Sequence, residues 1–384
     1  MKQLRTKKIK IQPIQTIIQA MENYLSACNW LSEIVFKTRE TNANGLQKQH
    51  YNTVREKFQL PSQLTCSLFR QVSATYRGMR TRKKWKLAVF KRSVLPICFR
   101  KDFNVSKRNG FTIWNQPIQL FSDLPEWNIK DSKIKMLKNK WYVILTYEIE
   151  IPDPKTNGTV VGVDRGIKRI LVASTKSKNP LFVKGGRLES LRKNIRNTKS
   201  RVQAVGTRSS KRLLQRLDRK EKSVTEEVLH ITSKTLAQYS ESVSAKTVVF
   251  ENLSEGIRES SKSKGKRFRK QVHSWAYSSL LFKCKYKLEA KGISVALVDP
   301  KNTSRGCPSC GFISEKNRKG IKFNCKSCGY SNDADLVGSM NIRNRFISGL
   351  LERDDSEKSS RQSLIVADSL EDSATSHGSC TRGS

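Results

Sequence analysis

The chain has 384 residues, with 74 Lys+Arg against 33 Asp+Glu and a formal net charge of +41. That length allows two or three domains and more than one core, while so large a charge excess opposes compactness unless a polyanion neutralises it. Nucleic acid is the natural polyanion, because each neutralised phosphate releases a condensed counterion; no apolar run is long enough to span a bilayer, and MKQLRTKKIKIQP lacks the apolar stretch of a secretory leader.

Residues 5–12, RTKKIKIQ, read as a short basic strand. Pro13 suits a helix start, and Ile14, Ile17, Ile18, Met21, Leu25, Cys28, Leu31 and Ile34 recur at helical spacing. Two further helices follow, one carrying Tyr51, Val54 and Phe58, the other opened by Pro61-Ser62 and carrying Leu64, Leu68, Val72 and Tyr76. Residues 13–80 are therefore a small helical unit. Residues 77–101 then hold ten Lys/Arg and no acid, interleaved with Trp85 and Phe90. Strand-like runs come next at Gly110–Trp114, Ile118–Phe121 and Lys133–Leu137, and 141–151 alternates cleanly after a Lys138-Asn139-Lys140 turn. This region reads as an antiparallel sheet or small barrel, ended by Pro152, Pro154 and Gly158.

TVVGVD, ending at Asp164, is a buried-type strand, with a return strand at 170–173 and a third at 181–183. Residues 187–222 carry thirteen Lys/Arg and three acids. With the apolar stripe that continues to about Gln238, they read as a long helical hairpin with one packed and one basic face. TVVFE ends a further strand at Glu251, and 258–270 is a loop of seven Lys/Arg with Gly and Ser, a candidate lid. Residues 275–290 read as a helix, 293–298 as a strand and 335–346 as a short helix. The Ser-rich stretch 352–384 reads as a disordered tail.

Two features carry chemistry. Cys307-x2-Cys310 and Cys325-x2-Cys328 stand fourteen residues apart, each pair followed by a glycine that suits a tight knuckle turn. Four thiolates so spaced can hold Zn²⁺ tetrahedrally, and four sulfur ligands leave no position for a reactive water, so the site is structural. Clustered rather than dispersed cysteines also point to a reducing, cytoplasmic compartment. The second feature is a set of dispersed acids. Asp164 and Glu251 each close an apolar strand, where open sheets keep their sites. Singly, each also reads as an edge or capping group, and Asp335 as the N-cap of the following helix. As a constellation, Asp164, Glu251 and Asp335 suit Mg²⁺, which takes a few carboxylates plus water and phosphate oxygens. A pair of such ions supports phosphodiester hydrolysis.

GVDRGIKRILVAST, VVFENLSEG and CPSCG…CKSCGYSNDADLVGSMNI, in this order, resemble the three split RuvC-like segments of the transposon-encoded TnpB family, the apparent ancestor of miniature type V CRISPR effectors. VDPKNTSRGC and HITSK also fit that pattern. The resemblance covers residues 1–350 and is specific from 159 onward. It implies an α+β multidomain chain. A β-barrel-like wedge domain takes up 1–12 and 81–156, with a helical recognition insertion at 13–80. An RNase H-like (RuvC-like) α/β nuclease domain takes up 157–303 and 332–351, with a four-cysteine zinc ribbon inserted at 304–331. It implies guide RNA and target double-stranded DNA as partners and cleavage next to a short flanking motif, and leaves open one or two protein copies per RNA. The catalytic acids carry over as Asp164, Glu251 and Asp335, with Asp333 as the fallback for the third. Where many members read Asp-(Val/Ile)-Asn-Ala-Ala, this chain reads Asp335-Leu-Val-Gly-Ser. Phosphate contacts are expected from Lys83, Lys84, Arg192, Lys193, Arg212, Arg216, Arg267 and Arg269. The tryptophans could stack on bases but suit core packing better, and His230 and His273 have no catalytic partner pattern. Two other classes remain: a nuclease-inactive RNA-guided repressor, which would lose one of the acids, and a DNA transposase, which would need an end-binding module.

Overall fold

In the computed structural model, which describes residues 1–91, 94–106, 110–124, 128–137, 139–176, 179–253 and 277–349, the chain divides into two units, Met1–Glu150 and Ile151–Ser384. In the first, β1 (Lys2–Ile11) leads into three helices, α1 (Gln15–Thr38), α2 (Ala43–Phe58) and α3 (Ser62–Thr81). The apolar stripe on α1 is buried as its spacing requires, with Ile17, Leu31 and Val35 fully covered. Asn42 caps α2 by accepting from the Asn44 amide at 3.1 Å. Tyr76 of α3 closes the bundle: its hydroxyl lies 2.8 Å from Ser32 Oγ and accepts the Ala88 amide at 3.1 Å. The basic stretch beyond α3 is thereby pinned to the helices. Trp30, Trp85, Trp114 and Trp141 pack against this core.

The strands β2 (Val94–Ile97), β3 (Phe103–Ser106), β4 (Gly110–Ile113), β5 (Gln116–Pro117), β6 (Asn128–Leu137) and β7 (Lys140–Glu150) complete the unit. They form two antiparallel sheets, ordered β1-β7-β6-β2 and β3-β4-β5. β1 pairs with β7 along its whole length, from Lys2↔Glu150 to Ile11↔Trp141. The expected strand at 118–121 is reduced to a single bridge, Ile11↔Leu120. Among the described residues neither sheet closes on itself.

In the second unit, β8 (Thr159–Asp164), β9 (Arg169–Ser174), β10 (Leu181–Lys184), β11 (Ala245–Glu251) and β12 (Ser294–Val298) form one sheet in the order β10-β9-β8-β11-β12. β8, β11 and β12 run parallel, and β9 and β10 are antiparallel additions. The basic hairpin is α4 (Gly186–Val205) and α5 (Arg208–Ser242), and α6 (Tyr277–Glu289) precedes β12. The hairpin's upper part, α6 and the sheet share a core of Leu229, Leu236, Leu280, Cys284, Val161, Val163, Val248 and Phe250. Helix α7 (334–349) packs on the opposite face, where Ile342 meets Val160 and Val249.

Strand alternation then decides what faces what. On β8, Val161 and Val163 face α5 and α6, so Val160, Gly162 and Asp164 face α7. On β11, Val248 and Phe250 take the first face, so Val249 and Glu251 take the second. Gly162 is what lets α7 approach: a Cβ there would meet the Ser339 carbonyl and stand 2.8 Å from the Arg343 amide. Gly162→Ala is expected to destabilise the second unit by about 1–3 kcal/mol through overpacking. Calorimetry would then show its melting transition several degrees lower.

Candidate functional site

Parallel register sets Asp164 and Glu251 side by side: Val163 pairs with Phe250, and each acid is the next residue on its strand. The start of α7 supplies Asp335. The three carboxyls are close enough to perturb one another. Burial, then the charges of Glu251 and Asp335, push Asp164 up to about 7, against the opposing pull of Arg318. Burial likewise raises Glu251, and the Thr303 hydroxyl and nearby arginines offset part of that rise. Among the described residues, only the four cysteines bring three or more ligand atoms within 4.8 Å of one another. At least one pair of carboxylates therefore stands wider than that. Like charges explain the spacing, and so do two arginines that draw Asp335 aside: Arg318 Nη2 donates to its Oδ1 at 2.8 Å, and Arg169 Nη1 lies 3.5 Å from its Oδ2.

Asp333 has a different job. It accepts from the Asp335 and Leu336 amides at 3.1 and 3.3 Å, so it, and not Asp335, caps α7. Its Oδ1 also takes a 2.5 Å ion pair from Arg169. Burial alone would raise its pKa, but the Arg169 bond and the capped amides outweigh that and lower it. Asp335 takes no part in that cap, and its carboxylate goes to Arg318 and Arg169. Gly338, one turn further on, completes the approach: a Cβ there would lie 3.0 Å from Asp164 Oδ2. This chain carries Gly338-Ser339 after Asp335, and Ser339 Oγ is 2.7 Å from Ser174 Oγ on β9.

Several contributors were not singled out from the sequence. Arg165 is buried behind the strand ends and donates to the Glu251 carbonyl at 2.6 Å and the Tyr277 carbonyl at 3.1 Å. Thr303 donates to Glu251 Oε1. Arg318 reaches Asp335 from the ribbon. Arg165 and Thr303 lie within the quoted motifs GVDRG and VDPKNTSRGC, but nothing in their spacing marks a partner. Oxygen donors gathered in a half-buried cluster of net negative charge fit a hard divalent cation such as Mg²⁺.

The cysteine clip forms a second site. β13 (Arg318–Lys319), β14 (Lys322–Asn324) and β15 (Ser331–Asp333) make its small antiparallel sheet. Gly311 and Gly329 have φ of 76° and 72°, the left-handed turns that the knuckles need. Cys307 and Cys328 sulfurs are 3.6 Å apart, as are those of Cys310 and Cys325. Four sulfurs at about 2.3 Å from a tetrahedral zinc ion would stand roughly 3.8 Å apart, so the donor set fits zinc. The Cys328 and Ser327 amides draw Cys325 down to about 6, which favours the thiolate. Buried Asn317 staples the two knuckles: it donates to the Arg305 and Phe312 carbonyls and accepts the Lys326 amide.

The expected phosphate contacts divide. Lys83, Lys84, Lys193, Arg212 and Arg216 are exposed, and Arg212 and Arg216 stand one turn apart on α5. Arg192 instead turns into the seam between α4 and α5, its Nε 3.5 Å from Glu221 Oε1 and its Nη2 3.4 Å from Thr225 Oγ1. It is better read as a strut of the hairpin than as a phosphate contact. His230 lies on α5, where its carbonyl accepts from Lys287. Arg267, Arg269, His273, Trp127, Trp275, the loop 258–270 and the tail 352–384 lie outside the described residues. Among the described residues no helix is long and apolar enough to cross a membrane.

Fold and site together describe a mixed α+β chain with clustered carboxylates at the C-terminal ends of two central strands and a cysteine ribbon beside them. Comparison with known proteins agrees with the resemblance read from the sequence. The family model described as "Probable transposase" (OrfB_IS605) matches residues 144–256, and "Cas12f1-like, TNB domain" matches residues 277–342. The chain is 29% identical to a CRISPR-associated endodeoxyribonuclease Cas12f1 from Syntrophomonas palmitatica over 229 residues, 55% of this chain and 44% of that protein. It is 27% identical to TnpB-like protein MJ0751 from Methanocaldococcus jannaschii over 228 residues, 57% of this chain and 80% of that one. The match spans about half the length of the Cas12f1 relatives. A solved Cas12f1–sgRNA–target DNA complex aligns over 89% of the chain at 18% identity and a TM-score of 0.42. The chain is thus similar to TnpB-type and Cas12f-type proteins.

Two expectations follow. Because Asp164 holds its proton to about 7, the folded state binds more protons than the unfolded between pH 4 and 7, and stability falls as pH rises through that window. With magnesium withheld, Asp164→Asn should therefore melt above the wild type at pH 8, by ~2–4 kcal/mol of stability at most, with the gap closing toward pH 4. Elemental analysis should find one zinc per purified chain, and Cys325→Ser should release it and expose the ribbon to proteolysis.

Proposed function

We propose that the chain is an RNA-guided, divalent-metal-dependent DNA endonuclease of a transposable element. The single observation that carries the reading is the pair of acids in adjacent register on parallel strands, with a third at the start of the helix packed against them. The sheet order, with β8, β11 and β12 parallel and two antiparallel additions, is consistent with an RNase H-like nuclease fold holding an inserted ribbon. The N-terminal sheets with α1–α3 suit a barrel-like wedge body with a helical insertion.

In this reading Asp164, Glu251 and Asp335 hold a pair of magnesium ions. Bound there, the metal would lower the pKa of an attacking water and stabilise the leaving oxygen of a phosphodiester. The chain's own part is electrostatic and positional. Arg318 and Arg169 neutralise the carboxylates before a cation enters. The exposed Lys83, Lys84, Lys193, Arg212 and Arg216 bind phosphates without reading sequence. Sequence is read by pairing with a guide RNA, and the protein reads backbone geometry and a short flanking motif in double-stranded DNA. The four cysteines hold zinc as a structural ion.

The test is to purify the chain with RNA from its own locus and present a plasmid library with randomised flanks. Guided double-strand cuts are expected, lost at least about 10³-fold in Asp164→Ala, as for a residue that holds the catalytic metal. Binding without cutting would make it a repressor, and RNA-independent strand transfer would make it a transposase.

A further inference from the structure

Of the three acids, Asp335 is neutralised by arginines, whereas Glu251 is held in another way. The geometry points to a two-ended clamp on Glu251, made by Thr303 on its carboxylate and Arg165 on its backbone carbonyl, with both as positioning residues for the divalent cation. This inference rests on the metal-site reading of Asp164, Glu251 and Asp335.

Thr303 is 3% exposed, and its hydroxyl donates to Glu251 Oε1, while the same Oγ1 lies 3.0 Å from the Pro300 carbonyl oxygen. The loop that carries it is fixed from α7, because Asn341 Nδ2 donates to the carbonyls of Thr303 at 2.7 Å and Gly306 at 2.8 Å. Thr303 therefore cannot drift without breaking bonds to the helix that opens with Asp335. At the other end, Arg165 is 5% exposed. Its two terminal nitrogens bridge the Glu251 carbonyl on β11 and the Tyr277 carbonyl at the start of α6, and its guanidinium lies 5.4 Å from the Phe250 ring. Its Nε has no hydrogen-bond partner among the described residues. A guanidinium kept buried at that cost is held there for its bridge.

The two ends differ in charge for a reason. A neutral hydroxyl orients the carboxylate without placing a positive group where a cation must sit. The positive group is kept behind the strand, on the carbonyl side. Partners that orient a metal ligand in this way typically change metal affinity by about 10–100-fold when removed.

The experiment measures Mn²⁺ binding to the full-length zinc-loaded chain by electron paramagnetic resonance, with Asp164→Asn as the variant that identifies the site. Thr303→Val removes only the hydroxyl and is expected to weaken Mn²⁺ binding about 10-fold. Thr303→Ser restores the donor and should bind as the wild type does. Arg165→Lys, which cannot span two carbonyls, should weaken binding similarly, and it decides the matter if Thr303→Val does not fold. In guided cleavage, Thr303→Val should raise the magnesium requirement by more than it lowers the rate at saturating magnesium. Wild-type Mn²⁺ affinity in a folded Thr303→Val, or equal weakening in Thr303→Ser, would overturn the clamp. Carboxylate-dependent Mn²⁺ binding that responds to Thr303, in a chain that cuts no guided target, would leave the clamp standing and remove the nuclease reading instead.

Discussion

Three carboxyl groups pressed together without a cation repel one another, and the second unit is built around that cost. What brings them together is a close approach of helix to sheet. Gly162 offers α7 a surface with no Cβ, and Gly338 offers Asp164 the same from the helix side. A side chain at Gly162 would push α7 off the sheet and carry Asp335 with it, whereas a Cβ at Gly338 would press only on the end of the Asp164 side chain. The repulsion is then shared out. Asp164 absorbs it as a raised pKa, Asp335 is paired with Arg318 and Arg169, and Glu251 is steadied by a neutral hydroxyl.

Helix α7 also ties the ribbon to the sheet. Its first turn puts Ala334 and Val337 into the small core around Phe323, Cys307 and Cys325, while Ile342 belongs to the core over β8 and β11. A ribbon of three two- and three-residue strands cannot bury enough apolar surface to stand alone, so the cysteine clip and the shared helix hold it together. In return the ribbon aims Arg318 at Asp335, and the segment that enters it carries Thr303. The cysteine clip and the carboxylate cluster are thus mechanically connected.

The basic hairpin shows how charge counting falls short of assignment. Thirteen Lys/Arg between residues 187 and 222 give the hairpin its strong positive charge. Helical phase then separates Arg212 and Arg216, which face solvent, from Arg192, which is spent on Glu221 inside the seam. The same limit applies to the tryptophans, four of which support the first core rather than offering open stacking faces.

Alternation and spacing made the elements legible: the strand pattern of TVVGVD and TVVFE, the 3.6-residue stripe on α1, and the paired CxxC knuckles whose glycines take left-handed turns. These are local properties, set by backbone geometry within a few residues, and a sequence displays them directly. It could also name Asp164, Glu251 and Asp335 as acids at element ends. It marked Asp335 as the cap of α7, whereas Asp333 takes that role, because only the folded turn shows which carboxylate meets the Asp335 and Leu336 amides. Nor could it reveal Arg165 and Thr303 as partners of Glu251. Those contacts join residues 86 and 52 positions apart, and side chains that far apart meet only once sheet register and helix packing have fixed where each backbone runs.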